Sequence, residues 1–436
     1  MLFRLSFVLS VASTQDSVGS QSGRSAILTV VATAFIVIAL YVGAVVTTNT
    51  FATVIAGRTR TIALLRLLGA TARSQRAHVA REGLVVGLAG GVVGAVCGLL
   101  ISAAGVAFLT STGSIPDAGY GFVDPSVVAP IIMVTATTWI ASWIGSRRVL
   151  TVSPVEAIAA NRELSQAESV ARRGRRTSAI ITSALGLVLL GLGVAAGTGS
   201  ALGLLIALPG GVLSFTGILL GAHLIVPWML QLCGQMFGRS APAMLARANA
   251  VRYPERSTRT ASGIIIGITL VSMFSVAEST LLDAIATAGS DSDGTEMVVS
   301  SLLSAATGLV GFAAVIAAVG MMNNLSLNVL QRTREIGLLR ALGVTRRQIR
   351  QTITIESAQA VFTATLIGLL LGTIYGWVGA QSVLGTIGPD GILPLSIPIP
   401  MFGAIAAAAS LLAITASLAP AKRATNLSPI QALAAE

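Results

Sequence analysis

Charge is scarce in this chain: Asp, Glu, Lys and Arg make up 10% of its 436 residues, against about 25% in typical soluble domains. That scarcity excludes an ordinary soluble globule. Lysine is reduced to Lys422 alone, so the chain holds no Gly-x-x-x-x-Gly-Lys-Ser/Thr phosphate loop, and ATP hydrolysis is expected to belong to another subunit. Aromatic residues are 5% of the total, too few to pair with the basic residues as a nucleic-acid surface, and no nucleic-acid partner is expected. The two histidines, His78 and His223, have no second histidine or carboxylate at ligand spacing, so packing or hydrogen bonding is the better reading for both. Two cysteines, Cys97 and Cys233, fall in apolar stretches and read as core-packing residues outside any disulfide framework. No Ser-His-Asp, paired-carboxylate or zinc arrangement stands out. Neither a catalytic residue nor a cofactor or metal site is predicted in this chain.

Apolar residues are abundant, at 54% of the chain, with a mean hydropathy of +0.84. They come in runs of about 20 residues or longer, the length that crosses a bilayer as a helix. These runs predict nine spans, near 26–50, 83–109, 127–146, 178–198, 206–232, 260–283, 301–328, 358–383 and 398–419. The connecting segments sort by charge. Arg58 to Arg81 holds six arginines, Arg147 to Arg176 seven, Arg239 to Arg259 five and Arg332 to Arg350 six, and Lys422 and Arg423 follow the last span. The alternate segments carry Asp117, Asp124, Asp291, Asp293, Glu296 and Asp390, with no basic residue. The arginine side is therefore read as cytoplasmic, with the C-terminus on that side of a multi-pass plasma-membrane protein.

Two arginine-rich segments repeat. Arg58-Thr-Arg-Thr-Ile-Ala-Leu-Leu-Arg-Leu-Leu-Gly69 aligns with Arg332-Thr-Arg-Glu-Ile-Gly-Leu-Leu-Arg-Ala-Leu-Gly343 at an offset of 274. Matches continue through Thr71/Thr345, Arg73/Arg347, Arg76/Arg350 and Glu82/Glu356, then Gly94/Gly368 and Gly98/Gly372, and finally, after one inserted residue, Ser153-Pro-Val-Glu-Ala-Ile-Ala159 against Ser428-Pro-Ile-Gln-Ala-Leu-Ala434. The fold class that follows is all-α, a polytopic membrane protein of two parallel tandem units with short cytoplasmic helices. Residues 1–160 are the expected first unit, 161–258 a linker with two central spans and a surface helix, and 259–436 the second unit. Projected back by the offset, the span at 260–283 starts before Met1 and ends near residue 9. The first helix of the first unit is thus expected to continue upstream of Met1 or to have been lost.

Each repeated segment has apolar residues at helical spacing followed by a glycine suited to a helix C-terminus. For a lone copy, an amphipathic helix held to anionic lipid by arginines is a sufficient reading. Two copies with the same residues in the same order point instead to a common protein partner. Glycines at four-residue spacing follow, namely Gly83, Gly87 and Gly91 with Gly90, Gly94 and Gly98 beside them, and Gly368, Gly372 and Gly376 in the second copy. Such small residues let helices approach closely in lipid. They suggest a central seam where the two halves meet. Among polar residues within spans, Glu278, Asp283, Asn323 and Asn324 are functional candidates, and hydration at the interface explains Glu278 as well.

The stretch Arg334-Glu-Ile-Gly-Leu-Leu-Arg-Ala-Leu-Gly-Val-Thr-Arg-Arg-Gln-Ile349, with Glu356 at the head of a span, resembles the signature of the FtsX/MacB-like permeases of ABC transporters. The closing Ala419-Pro-Ala-Lys-Arg-Ala-Thr-Asn-Leu-Ser-Pro-Ile-Gln-Ala-Leu433 is similar to the end of the same domain. The resemblance covers about residues 25–160 and 260–436. It implies that the segment docks as a coupling helix on a cytoplasmic ATPase subunit, present in two copies with ATP and Mg bound there. Carried over, Arg334, Glu335, Ile336, Leu339, Arg340, Leu342 and Gly343 contact or shape that interface, as do Arg60, Ile62, Leu65, Arg66, Leu68 and Gly69 in the first copy. Thr61 stands where the pattern has glutamate, so the two docking sites are expected to be unequal.

The predicted outer segments are about 20 residues or fewer, too short for a folded outer domain. Two functions fit: export of a hydrophobic or amphipathic compound (lipid, peptide or antibiotic), or mechanotransmission of ATPase movement to an envelope enzyme or sensor. The short outer segments favour export, because a signalling subunit needs an outer surface for its client. An ion-driven transporter ranks below both, since it gives no reason for duplicated arginine-rich segments.

Overall fold

In hydrocarbon a backbone has no partner but itself, so long apolar stretches are driven into helices. The computed structural model describes residues 18–111, 128–147, 173–199, 203–238, 240–252, 254–287, 342–385 and 391–411, and no strand occurs among them. Seven of the helices are long and apolar enough to cross a membrane. The protein is an all-α, multi-pass membrane protein. Of the nine expected spans, the one at 301–328 lies outside the described residues, and the last is described as a shorter apolar helix, Ile399–Leu411.

The chain forms two compact units, Met1–Asn161 and Arg162–Glu436. The first contains α1 (Val18–Gly57), α2 (Thr59–Leu67), α3 (Ala72–Ser111) and α4 (Val128–Gly145). Here α4 packs on both α1 and α3. The helix α3 runs well beyond the expected 83–109. At 40 residues it is about 60 Å long, twice the hydrocarbon thickness, and its extra turns carry Arg73, Arg76 and Arg81 clear of the apolar stretch. Thr71 starts it, its Oγ1 accepting from Ser74 N–H at 3.1 Å, a capping contact that favours helix over loop.

The second unit contains α5 (Arg173–Gly197), α6 (Gly203–Gly234), α7 (Ala241–Arg252), α8 (Pro254–Thr287), α9 (Arg346–Leu384) and α10 (399–411). The central helices, set apart in the sequence, pack here on the second repeat: α9 touches α5, α6, α7 and α8. Pro254 opens α8, where its missing N–H costs nothing. Thr345 opens α9 with a full capping box, its Oγ1 accepting from Gln348 N–H while the Gln348 side chain accepts from Thr345 N–H. That adds about 1 kcal/mol to the start of the helix.

Glycine sets the closest approaches within each unit. A Cβ built at Gly87 stands 3.0 Å from Thr138 Cβ, and one at Gly91 stands 3.2 Å from Ile131 Cγ2, so these residues seat α4 within the first unit. Gly368 and Gly376 bring α9 onto α8, with Ile268 and Val276 at 2.7 and 2.9 Å from the built Cβ atoms, and Gly372 meets Ser272 in the same way. Packing therefore runs inside each unit. Gly94 and Gly98 have no described atom within 4 Å. Cys97 is a correction: Cys233 is buried, as expected of a packing residue, but Cys97 is exposed, because it lies on that same unfilled side of α3.

The far end of the second unit is closed by hydrogen bonds to backbone. Gln381, fully buried, donates from Nε2 to the Gly391 carbonyl at 2.6 Å and accepts from Leu393 N–H at 2.7 Å. Trp377 Nε1 donates to the Leu393 carbonyl at 3.0 Å. These contacts pin 391–398 over the ends of α8 and α9, where Ser279 also donates to Ser396 at 2.7 Å. Replacing Gln381 by leucine leaves the buried Leu393 N–H unpaired, costing about 1–3 kcal/mol, and frees the partly buried Gly391 carbonyl. The expected outcome is a fall of several degrees in the unfolding temperature of the purified protein, with proteolysis appearing first within 391–398.

Candidate functional site

The short helix α2 is held between α1 and α3 by its buried side. Ile62 and Ala63, 6% and 0% exposed, pack with Ile55 of α1, and Val79 of α3 packs against them. Its other side is apolar and open: Leu64, Leu65, Leu67 and Leu68 are 48%, 38%, 56% and 85% exposed. Four leucines on nine helical residues and their cap are far more uncovered apolar surface than a solvated helix needs, which marks a contact surface. Thr61 is exposed beside them and Arg66 half-exposed.

The helix ends in a Schellman turn. Ala70 N–H donates to the Leu65 carbonyl at 2.9 Å and Gly69 N–H to the Arg66 carbonyl at 3.1 Å, with Gly69 at φ +98°. Only glycine adopts that backbone without strain. Gly343 has φ +88° at the repeat-related position, and Leu342 beside it is exposed like Leu68. Both repeats thus place a glycine with left-handed backbone a few residues before a long helix.

Further contacts tie α2 and α3 to their neighbours. Arg58, immediately before α2, pairs with Glu82 of α3 at 3.6 Å. Both side chains are substantially exposed, so the pair orients the segment more than it stabilises it. Arg76 of α3 donates from its guanidinium to the Trp143 carbonyl at 3.0 Å and to Ser146 Oγ at 3.3 Å. The same guanidinium lies 4.1 Å from the centroid of the Trp143 ring. Ile62 and Arg58 thus link α2 to α3, and Arg76 links α3 to the end of α4. The Arg76 contacts join residues 67 and 70 positions apart. Sequence spacing gives no sign of them, although Arg76/Arg350 was among the repeat matches. Arg76→Ala removes a cation–π contact and two hydrogen bonds, worth about 1–2 kcal/mol together at this partly exposed place. The expected result is a fall of a few degrees in the unfolding temperature of the purified protein, read by thermal denaturation.

Of the expected docking residues, the first copy is therefore split: Ile62 is turned inward and anchors α2, whereas Leu65, Leu68 and Gly69 are on the open surface. Arg60 belongs to α2. Arg334, Glu335, Ile336, Leu339 and Arg340 lie outside the described residues, as do Asn323 and Asn324. His223 is buried, its Nδ1 2.8 Å from the Leu220 carbonyl, in keeping with a packing role. Among the described residues no group of three or more His, Cys, Asp or Glu is placed to hold a metal ion.

Comparison with known proteins adds the family context. The model of the FtsX-like permease C-terminal domain matches the chain twice, over residues 33–154 and 307–429, together more than half of its length. The uncharacterized ABC transporter permease YknZ of Bacillus subtilis is 33% identical over 125 residues, 29% of this chain and 30% of that protein. The lipoprotein-releasing system transmembrane protein LolC of Haemophilus influenzae is 27% identical over 126 residues, 29% of this chain and 32% of its own. The macrolide export ATP-binding/permease protein MacB of Hahella chejuensis is 29% identical over 122 residues, 28% of this chain and 18% of its own. The chain spans about a third or less of the length of these relatives.

Proposed function

The chain belongs to the FtsX-like permease family, and on that premise we propose that it is the membrane-spanning permease subunit of an ABC transporter that exports a hydrophobic or amphipathic compound. The observation that carries the reading is α2: a helix anchored through Ile62 and Ala63 that leaves four leucines uncovered. A separate ATPase, binding ATP and Mg, docks on this surface and on the repeat-related segment 332–343, one copy at each. The arginine-rich side and the C-terminus face the cytoplasm. Closure of the two ATPase copies pushes α2 and its counterpart, and the long helices α3 and α9 carry that movement into the bilayer. Arg66 and Arg340 supply positive charge at the docking surface, and Thr61 against Glu335 makes the two docking sites unequal.

Two measurements test this. Affinity purification of the tagged chain from its own host brings down an ABC ATPase; its absence under mild detergent conditions defeats the docking assignment. Reconstituted with that ATPase in proteoliposomes, the complex releases labelled lipid or peptide only with ATP. A complex that hydrolyses ATP but neither releases nor is stimulated by any amphiphile replaces export with mechanotransmission.

A further inference from the structure

The segment 391–398 joins α9 to α10 without regular structure, yet it does not stand clear of the helices. Its hydrogen bonds run to Trp377 and Gln381 of α9 and to Ser279 and Thr280 of α8. All four residues lie inside the stretches long and apolar enough to span a membrane, Arg347–Val383 and Ala261–Ala284. The segment therefore runs beside the last turns of two spans, at the depth where headgroups give way to acyl chains and an indole such as Trp377 is at home. Its backbone is served from within the protein. Gln381 satisfies the Gly391 carbonyl and the Leu393 N–H, Trp377 the Leu393 carbonyl, and Ile399 N–H the Ile397 carbonyl at 2.9 Å, while Ser396 N–H donates to Thr280 Oγ1 at 3.5 Å. Pro394, Pro398 and Pro400 have no N–H to satisfy. A loop in water needs none of these provisions, whereas a backbone next to acyl chains does. Leu393 points inward, 1% exposed, while Ile392, Leu395, Ile397 and Ile399 are between 45% and 76% exposed.

We propose that this segment is a strap inserted in the lipid at the far end of the second unit, with Ile392, Leu395, Ile397 and Ile399 against acyl chains. The strap continues a surface that already faces lipid. Leu366, Leu370 and Ile374 are exposed on α9, and the helical repeat of 3.6 places Trp377 and Gln381 within about 80° of them. The residues that hold the strap thus extend the same face of α9, and the apolar strip carries that face to its end. Charge points the same way. From Gly391 to Ala421 no charged residue occurs, so the strip has no ionic group with which to hold a polar partner, and four uncovered aliphatic side chains in water would be an aggregation liability. Gly391, at φ +75°, brings the strap against Thr198 at the end of α5, 3.3 Å from its built Cβ. The strap therefore ties the ends of α5, α8 and α9 together and seats them in the leaflet.

Nitroxide accessibility tests this in the full chain. Ile392→Cys, Leu395→Cys and Ile397→Cys, made one at a time in a C97S/C233S background, are spin-labelled and reconstituted in vesicles of phosphatidylethanolamine and phosphatidylglycerol. Val188→Cys, on the exposed side of α5, serves as the lipid reference. Ser74→Cys, exposed in the polar first turn of α3, serves as the water reference. Oxygen concentrates among acyl chains, whereas a neutral nickel chelate stays in water. The ratio of oxygen to nickel collisions at 392, 395 and 397 is expected to exceed that at 74 several-fold and to favour oxygen as it does at 188. A ratio like that at 74 makes the segment a water-facing loop and overturns the proposal. Low collision rates with both reagents, the result when a second copy or another protein covers the strip, overturn it as well. If one of the three cysteine variants fails to accumulate, the other two decide.

Discussion

Exchanging Arg340 for glutamate is expected to reduce recovery of the ATPase with the permease by at least tenfold, with the amount of permease in the membrane unchanged. Reversing a charge at a docking surface removes one attraction and adds one repulsion. A change of about 1.4 kcal/mol already gives tenfold, and close interfacial charge pairs are commonly worth more than that. Arg66→Glu is expected to have a smaller effect. On the first copy Thr61 stands where the second has Glu335, so the surface around Arg66 has one ionic group fewer to depend on. Raising the ionic strength from about 0.15 M shortens the Debye length below about 8 Å and should weaken the exposed contacts of both sites. The apolar contribution from Leu64, Leu65, Leu67 and Leu68 persists in high salt. Unchanged recovery in both single variants and in the double variant would remove the arginines from the docking surface.

A second large effect is expected at Gly372. A leucine there meets Ser272, whose Oγ donates to the Ile268 carbonyl at 2.7 Å and lies 3.2 Å from the Gly368 carbonyl, a second acceptor. The obstruction extends to backbone, since Met273 N stands 2.9 Å from the built Cβ, and a backbone cannot swing aside as a long side chain can. Overpacking of this kind costs about 1–3 kcal/mol where side chains can adjust, and more where two backbones are held together. Gly372→Leu is expected to abolish accumulation of folded protein in the membrane. Gly98→Leu, the same substitution at the repeat-related position, meets no described atom within 4 Å and is expected to leave the monomer folded. Comparable membrane levels for the two variants, measured with a fluorescent C-terminal fusion, would contradict the assigned packing.

Much of this protein is legible from one dimension because membranes make composition a local code. The helices at 178–198, 206–232 and 260–283 follow from apolar run length alone, and the structure extends α5 and α8 by five and six residues at their arginine-bearing ends and α6 by three and two residues at its ends. Helices α3 and α9 are longer than their apolar runs. Their first turns are polar, and the capping threonines Thr71 and Thr345 set where they begin. The repeat singled out α2 as a helical segment and its glycine as a helix stop, and Gly69 at φ +98° does end that helix. Which side of α2 faces inward was not legible. Ile62 and Leu65 are both apolar and only three residues apart, so hydropathy gives them one role, whereas Ile55 and Val79 cover the first and leave the second open.

By itself the amino-acid sequence determined that this chain is an all-helical membrane protein, that it is internally duplicated, and that its arginines collect in alternate connecting segments. Those properties depend on run length, residue order and charge, all of which are present before folding. Only the tertiary structure decided which glycines are filled. Gly98 and Gly372 are the same residue in the same repeat, yet Ser272 presses on one and nothing described comes near the other. It also brought Arg76 to Trp143 and Gln381 to Gly391 and Leu393. Contacts between helices depend on which faces meet and at what distance, and neither quantity is carried by any segment taken alone.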